Sequence, residues 1–180
     1  MACITLVTGD RSLSCGAPPP GGINSPVSAK ILNASQIASF TVASPALATI
    51  TRVAGTRAYA LEAANNSLVV NIALKGGEMY PPQHDVSIEA TLFGSSVAND
   101  NAGKVISGGA NGQYVIAVDH GNGVYKVYGL GAPLEVLSVE GSSTGNGFVR
   151  NTFGVEDWQT GTTVYDLTAA AYEALSTPAT

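Results

Sequence analysis

Short runs of alternating apolar and polar residues, separated by glycine, proline and asparagine, recur through most of this 180-residue chain. A period of two places successive side chains on opposite faces of a strand, so each run has one face to bury. The pattern therefore predicts a mainly β protein. The runs are 27–32, 40–42, 49–53, 57–62, 67–74, 113–119, 124–129 and 134–140, and 148–161 is a further strand region that contains a turn.

One hairpin is specified by its turn. Gln113–Asp119 and Val124–Gly129 are rich in β-branched and aromatic residues, and His120-Gly121-Asn122-Gly123 joins them. Asn-Gly suits the positive φ angles of tight hairpin turns. We therefore predict an antiparallel pair here, with His120 as a polar residue of the turn.

Two segments are candidates for helix. Pro81-Pro82 is predicted to break the chain, and we expect one helix between Asp85 and Ile106, because Asp85 can cap it. The alternation of apolar residues at 86, 88, 90 and 92 leaves a strand as the alternative. Near the other end, the alanines of Leu167–Leu175 predict a short helix capped by Thr168.

The first 26 residues differ in character from the rest. Ala17–Gly22 includes three consecutive prolines and ends in Gly-Gly, which disfavours regular structure. We therefore predict an N-terminal arm over residues 1–26 and one β-rich domain over residues 27–180. Cys3 and Cys15 lie in the arm, and they are too few for a zinc site by themselves. Packed thiols and a disulfide both remain open for them.

Charged residues make up only 12% of the chain, and 13 acidic residues outnumber 8 basic ones. A surface so poor in charge favours association, although an ordinary polar β protein has a similar composition. The net charge of −5 and the absence of a basic cluster argue against a protein that grips nucleic acid. No run approaches the roughly 18 apolar residues that span a bilayer, and no secretory signal is visible, so we expect synthesis in a cytoplasm.

The sequence shows no convergent catalytic set. Asp119-His120 and His84-Asp85 are neighbours, and adjacent residues of a strand point to opposite faces. Neither a nucleophile elbow nor a phosphate-binding glycine loop is present. We therefore expect no enzymatic activity, no cofactor and no metal.

Several short motifs carry a family resemblance, in order along the chain. They are Met1–Thr5, Arg11–Cys15, Gly21–Ile23, Val115–Tyr125, Leu130–Val136, Thr144-Gly145 and Gly154–Glu156. This order resembles tail tube and related tail structural proteins of tailed bacteriophages, many of them infecting Bacteroidetes-type hosts. The chain departs from that pattern at the Pro18–Pro20 insertion, at Asp10-Arg11 in place of Gly-Arg, and over residues 43–64, which match nothing in it.

The resemblance implies an antiparallel β-sandwich or barrel with one flanking helix. It also implies six copies in a ring whose inner strands join around a DNA channel, with rings stacked into a tube. The expected partners are further copies of the chain and other virion tail proteins, and the expected location is the virion tail, assembled in the host cytoplasm. The alternatives are a ring, adaptor or decoration protein of the virion, or a carbohydrate-binding or adhesive β-domain.

A channel that lets DNA slide should not bind phosphates, so its lining should be neutral or acidic. The acidic residues at predicted strand or hairpin positions are the candidates for that lining. They are Glu62, Glu89, Asp119 and Glu135.

Overall fold

The computed structural model describes residues 26–43, 47–61, 68–77, 80–93, 112–142, 148–155 and 163–180. Within these ranges most residues lie in strands, and the prediction of a mainly β protein is confirmed. The strands are β1 (Ser28–Asn33), β2 (Ile37–Ala43), β3 (Leu47–Arg52), β4 (Tyr59–Leu61), β5 (Leu68–Gly77), β6 (Tyr80–Phe93), β7 (Tyr114–Asp119), β8 (Tyr125–Leu130), β9 (Glu135–Ser142), β10 (Phe148–Gly154) and β11 (Thr163–Leu167). A 3₁₀ turn (Ala34–Gln36) joins β1 to β2, and the helix α1 (Ala169–Ala174) follows β11.

These strands form two sheets. The large sheet has seven strands in the order β2-β3-β11-β8-β7-β1-β4, and the small sheet has four in the order β5-β6-β10-β9. Neighbouring strands are antiparallel, apart from the parallel pair β11–β3. The two sheets share a hydrophobic core, so the fold is the expected β-sandwich.

The core between the sheets takes alternate residues from the strands that line it. Ile116 and Val118 of β7 contribute from the large sheet, and Ile88 of β6 and Phe153 of β10 from the small sheet; all four are fully buried. Asn151 lies on the same side of β10 as Phe153 and is also fully buried, yet neither polar atom of its side chain has a hydrogen-bond partner. An unpaired buried amide costs about 1–3 kcal/mol, which the surrounding apolar burial must offset.

The short link between β1 and β2 forces the large sheet to curl. Four other strands lie between these two in the sheet, which in a flat sheet would separate them by about 24 Å. The link from Asn33 to Ile37 contains only the three-residue 3₁₀ turn and spans at most about 15 Å. The sheet must therefore bend back on itself, and its concave side encloses a second core.

Helix α1 and the residues after it fill that concave side. Tyr172 and Leu175 pack there with Val115, Val127 and residues of β1, β3 and β11. The predicted helix is confirmed, and Thr168 caps it by accepting a hydrogen bond from the backbone N–H of Ala171. As a result β7, in the middle of the large sheet, is buried on both faces.

Two basic side chains hold this helix in place. Lys30 on β1 is nearly buried; its ammonium donates to the carbonyl of Tyr172 at 2.8 Å and lies 4.0 Å from the centre of that tyrosine ring. Arg52 on β3 donates to four backbone carbonyls, three of them at the end of α1 and beyond: Ala174, Leu175, Thr177 and Thr56. A guanidinium at a helix C-terminus satisfies carbonyls that the helix leaves unpaired.

The β7–β8 hairpin is confirmed, with Asn122 and Gly123 at positive φ in its turn. The helix predicted between Asp85 and Ile106 is wrong over residues 85–93, which belong to β6; residues 94–106 lie outside the described ranges. Pro81-Pro82 does not end the strand, because it lies at a register shift where β6 has no β10 neighbour. Strand β11 was not predicted from the sequence.

We expect replacement of Arg52 by Met to lower the free energy of unfolding by about 2 kcal/mol, because hydrogen bonds from a charged donor to the end of α1 are lost. Urea denaturation followed by circular dichroism measures the change. Arg57→Met is the matched control: Arg57 is exposed, its contact is the Tyr59 ring at 5.4 Å, and its loss should cost less than about 1 kcal/mol. Equal effects of the two substitutions would contradict the role assigned to Arg52.

Candidate assembly surface

The small sheet has one buried face and one face that points away from the sandwich. On β6, Ile88 and Ala90 point into the core, so Glu89 between them points outward. The register places Glu89 opposite Val69 of β5 on one side and Thr152 of β10 on the other. We call this second side the outward face of the small sheet.

The outward face is acidic. Among the side chains that the structure describes there, four are carboxylates and one is a guanidinium, which gives a formal charge of −3. Arg150, the basic one, is opposite Glu140 of β9 and approaches its carboxylate at 3.7 Å. The other acidic residues lie at outward positions along β6 and at the start of β9: Asp85, Glu89 and Glu135.

The small sheet also ends in two long edge strands. Within the described residues, β5 pairs only with β6 and β9 pairs only with β10. Val69 of β5 is 40% exposed, and Leu137 and Val139 of β9 are 45% and 41% exposed. An edge strand that carries exposed apolar side chains is a site where another strand adds.

The strand order makes the two edges mutually compatible. The four strands alternate in direction, so β5 and β9 run in opposite directions. When copies are related by rotation about an axis along the strands, β9 of one copy meets β5 of the next in antiparallel orientation. This head-to-tail contact leaves no free edge in the small sheets when the ring closes.

The structure separates the four residues predicted to line a channel. Glu89 and Glu135 both lie on the outward face of the small sheet. Asp119 belongs to the other sheet, at the end of β7, where its Oδ1 accepts a hydrogen bond of 2.7 Å from the backbone N–H of Gly121. That bond gives Asp119 a local role in the turn. Glu62, like Cys3 and Cys15, lies outside the described residues.

The expectation that His120 is a polar turn residue is wrong. Its backbone enters the turn, but its side chain is fully buried, and its Nε2 is 2.9 Å from the hydroxyl of Tyr128. Burial raises the pKa of the Tyr128 hydroxyl, and the negative charge of Asp166 adds to the shift. His120 and Tyr128 therefore form a buried pair inside the fold. The described residues contain no group of three or more potential metal ligands.

The chain matches no protein-family model, no curated protein and no solved structure. In the described part of the chain, no helix is both long and apolar enough to cross a membrane.

Sequence reasoning missed Arg150, Glu140 and the exposed residues of β9 as parts of this surface. The signal for β9 was present, because 135–140 alternates, but the bulge between Thr152 and Phe153 shifts its pairing with β10. Leu137 is the extra residue of that bulge; it has no partner in the β10 register and packs over Gly154. Alternation alone assigns one face to each residue and does not locate bulges.

We expect Val69→Lys to block association through the small sheet while preserving the fold. The new ammonium lies directly opposite Glu89, a favourable cross-strand pair, and it places a charge on the edge where a neighbour would add. Val53→Lys, at a residue of similar exposure (42%) outside the strands, is the control. Light scattering should show a smaller assembly for the Val69 variant and no change for the control, with the unfolding midpoints of both near that of the parent.

Proposed function

We propose that this chain is a non-enzymatic structural protein of a virus particle, a subunit of a bacteriophage tail tube. The small sheet carries the proposal, because it combines two compatible open edges with an acidic outward face. Copies joined edge to edge through β5 and β9 would form a ring lined by that face. The resemblance of the sequence to tail tube proteins supports the same assignment.

The dimensions of such a ring suit a DNA channel. Six copies would contribute 24 strands, and strands about 4.8 Å apart and tilted by about 40° close into a cylinder roughly 48 Å across. Side chains on the inside narrow this opening but leave room for a duplex. The large sheet and α1 would then form the outer wall.

The charge of the outward face supports passage of DNA over binding of DNA. Each phosphate neutralised by a basic side chain adds affinity through counterion release, and the described outward face has Arg150 against four carboxylates. At 0.1 M salt the Debye length is about 10 Å, so rings of carboxylates repel phosphates over much of the channel. A polyanion would therefore slide through it with little retention.

Sizing of the purified protein tests this function. We expect rings or stacked rings in negative-stain images, and scattering that corresponds to many copies of the 18.2 kDa chain over a wide concentration range. Single rings that never stack would favour an adaptor role. A persistent monomer would contradict a tube subunit.

Charge reversal on the outward face tests the channel. We expect Glu89→Lys, combined with Glu135→Lys, to leave assembly intact and to make the assembled protein retain DNA at low salt, with release as salt rises. Asp119→Asn is the control, because Asp119 lies on the other sheet beside a turn. Co-sedimentation of assembled protein with linear duplex DNA measures the retention. DNA binding by the parent protein equal to that of the variant would contradict an acidic channel lining.

A further inference from the structure

The large sheet also has an edge strand without the features that usually prevent further strand pairing. Strand β2 (Ile37–Ala43) is seven residues long and pairs only with β3 in the described part of the chain. It contains no charged residue and no proline, the residues that natural edge strands use to prevent further pairing. The opposite edge, β4, has only three residues and offers a much shorter template.

An apolar groove lies beside this edge, which we call the β2 groove. It has a volume of about 420 Å³ and runs between the 3₁₀ turn and β2 on one side and the end of β8 on the other. Ile37, Phe40, Val115, Leu130 and Pro133 are among the residues that line it. Ile37 and Phe40 are only partly buried there, so a further strand along β2 would cover both its edge and the groove.

The chain itself contains a segment that fits this edge. Residues 3–7, Cys-Ile-Thr-Leu-Val, carry no charge, glycine or proline and are rich in β-forming residues. As a strand, Ile4 and Leu6 share one face and Cys3, Thr5 and Val7 the other. Ile4 and Leu6 are apolar and match the β2 groove. The segment has no charged side chain, which suits an edge strand without charges.

The length of chain between this segment and β1 limits how far the segment can extend from its own domain. Eighteen residues, 8–25, separate it from Pro26, and they span up to about 60 Å when extended. A domain of this size has a radius of gyration of only about 15 Å. The reach of these eighteen residues exceeds the dimensions of the domain, so an adjacent copy lies within the reach of residues 3–7.

We propose that residues 3–7 of one copy add as a strand to β2 of a neighbouring copy and cover the β2 groove. This inference rests on the proposed function, because stacked or ringed copies supply the neighbour at high local concentration. The contact is separate from the β5–β9 contact of the small sheets. The strand addition gives the N-terminal arm a binding site on β2 of a neighbouring copy, and it joins subunits through the large sheet as well as the small one.

The native thiol of Cys3 provides the test. In a Cys15→Ser background, single cysteines are introduced at exposed positions of β2. Each variant has a matched control with the cysteine at the register partner on β3. The pairs are Ser39→Cys with Thr51→Cys, Thr41→Cys with Thr49→Cys, and Ala43→Cys with Leu47→Cys. All six positions are exposed, and an added strand would lie one strand spacing from β2 but two, about 10 Å, from β3.

A disulfide requires Cβ atoms about 3.5–4.5 Å apart, so mild oxidation of the assembled protein should link the β2 variants in preference to the β3 variants. At least one of them should give a ladder of covalent oligomers on a non-reducing gel, with about tenfold more product than its β3 partner. Equal products from both strands would overturn the proposal. A disulfide formed within one chain, seen as a faster-migrating monomer, would also overturn it.

Negative-stain images of each variant before oxidation distinguish a failure of the strand addition from a failure of the proposed function. Intact rings without any cross-link at β2 overturn the strand addition and leave the proposed function standing. If neither the parent nor the variants form rings, the proposed function fails and this inference fails with it.

Discussion

The three-residue connection between β1 and β2 governs how this molecule packs. It is too short to join two strands that have four others between them in a flat sheet, so the large sheet has to curl. Curling gives the sheet a concave side, which α1 fills, and a convex side, which the small sheet covers. Strand β7 runs through the middle and is buried on both faces. Lys30 and Arg52 then fasten the end of the chain across the concave side.

The small sheet is constrained differently, because in the described chain each of its two edge strands pairs with only one other strand. Its inward residues join the core, and the described charged residues of its outward face are four carboxylates and the guanidinium of Arg150. Exposed apolar side chains are concentrated on its edge strands at Val69, Leu137 and Val139. A sheet with a charged face and apolar edges is suited to lateral association, which leaves the charged face in contact with solvent. This division of surface underlies the proposed ring.

Local sequence signals succeeded where local chemistry decides the backbone. The Asn122-Gly123 turn and the Thr168 cap formed as expected, since each depends on φ preferences or a hydrogen bond within a few residues. They failed where contacts with distant strands decide the secondary structure or the burial of a residue. Residues 85–93 alternate as a strand and also begin with a possible cap, and pairing with β5 and β10 makes them a strand. The sequence predicts His120 as a turn residue, but its ring is buried and lies within hydrogen-bond distance of the Tyr128 hydroxyl on the next strand.

The sequence by itself determined the fold class, most of the strands, one hairpin, the final helix and the low charge that favours association. It also supplied the acidic residues from which a channel lining could be drawn, without choosing among them. Only the tertiary structure decided that Glu89 and Glu135 share the outward face and that Asp119 belongs to a turn on the other sheet. The physical reason is that a period of two gives each strand two faces, and which face meets the core depends on register with strands far away in the chain.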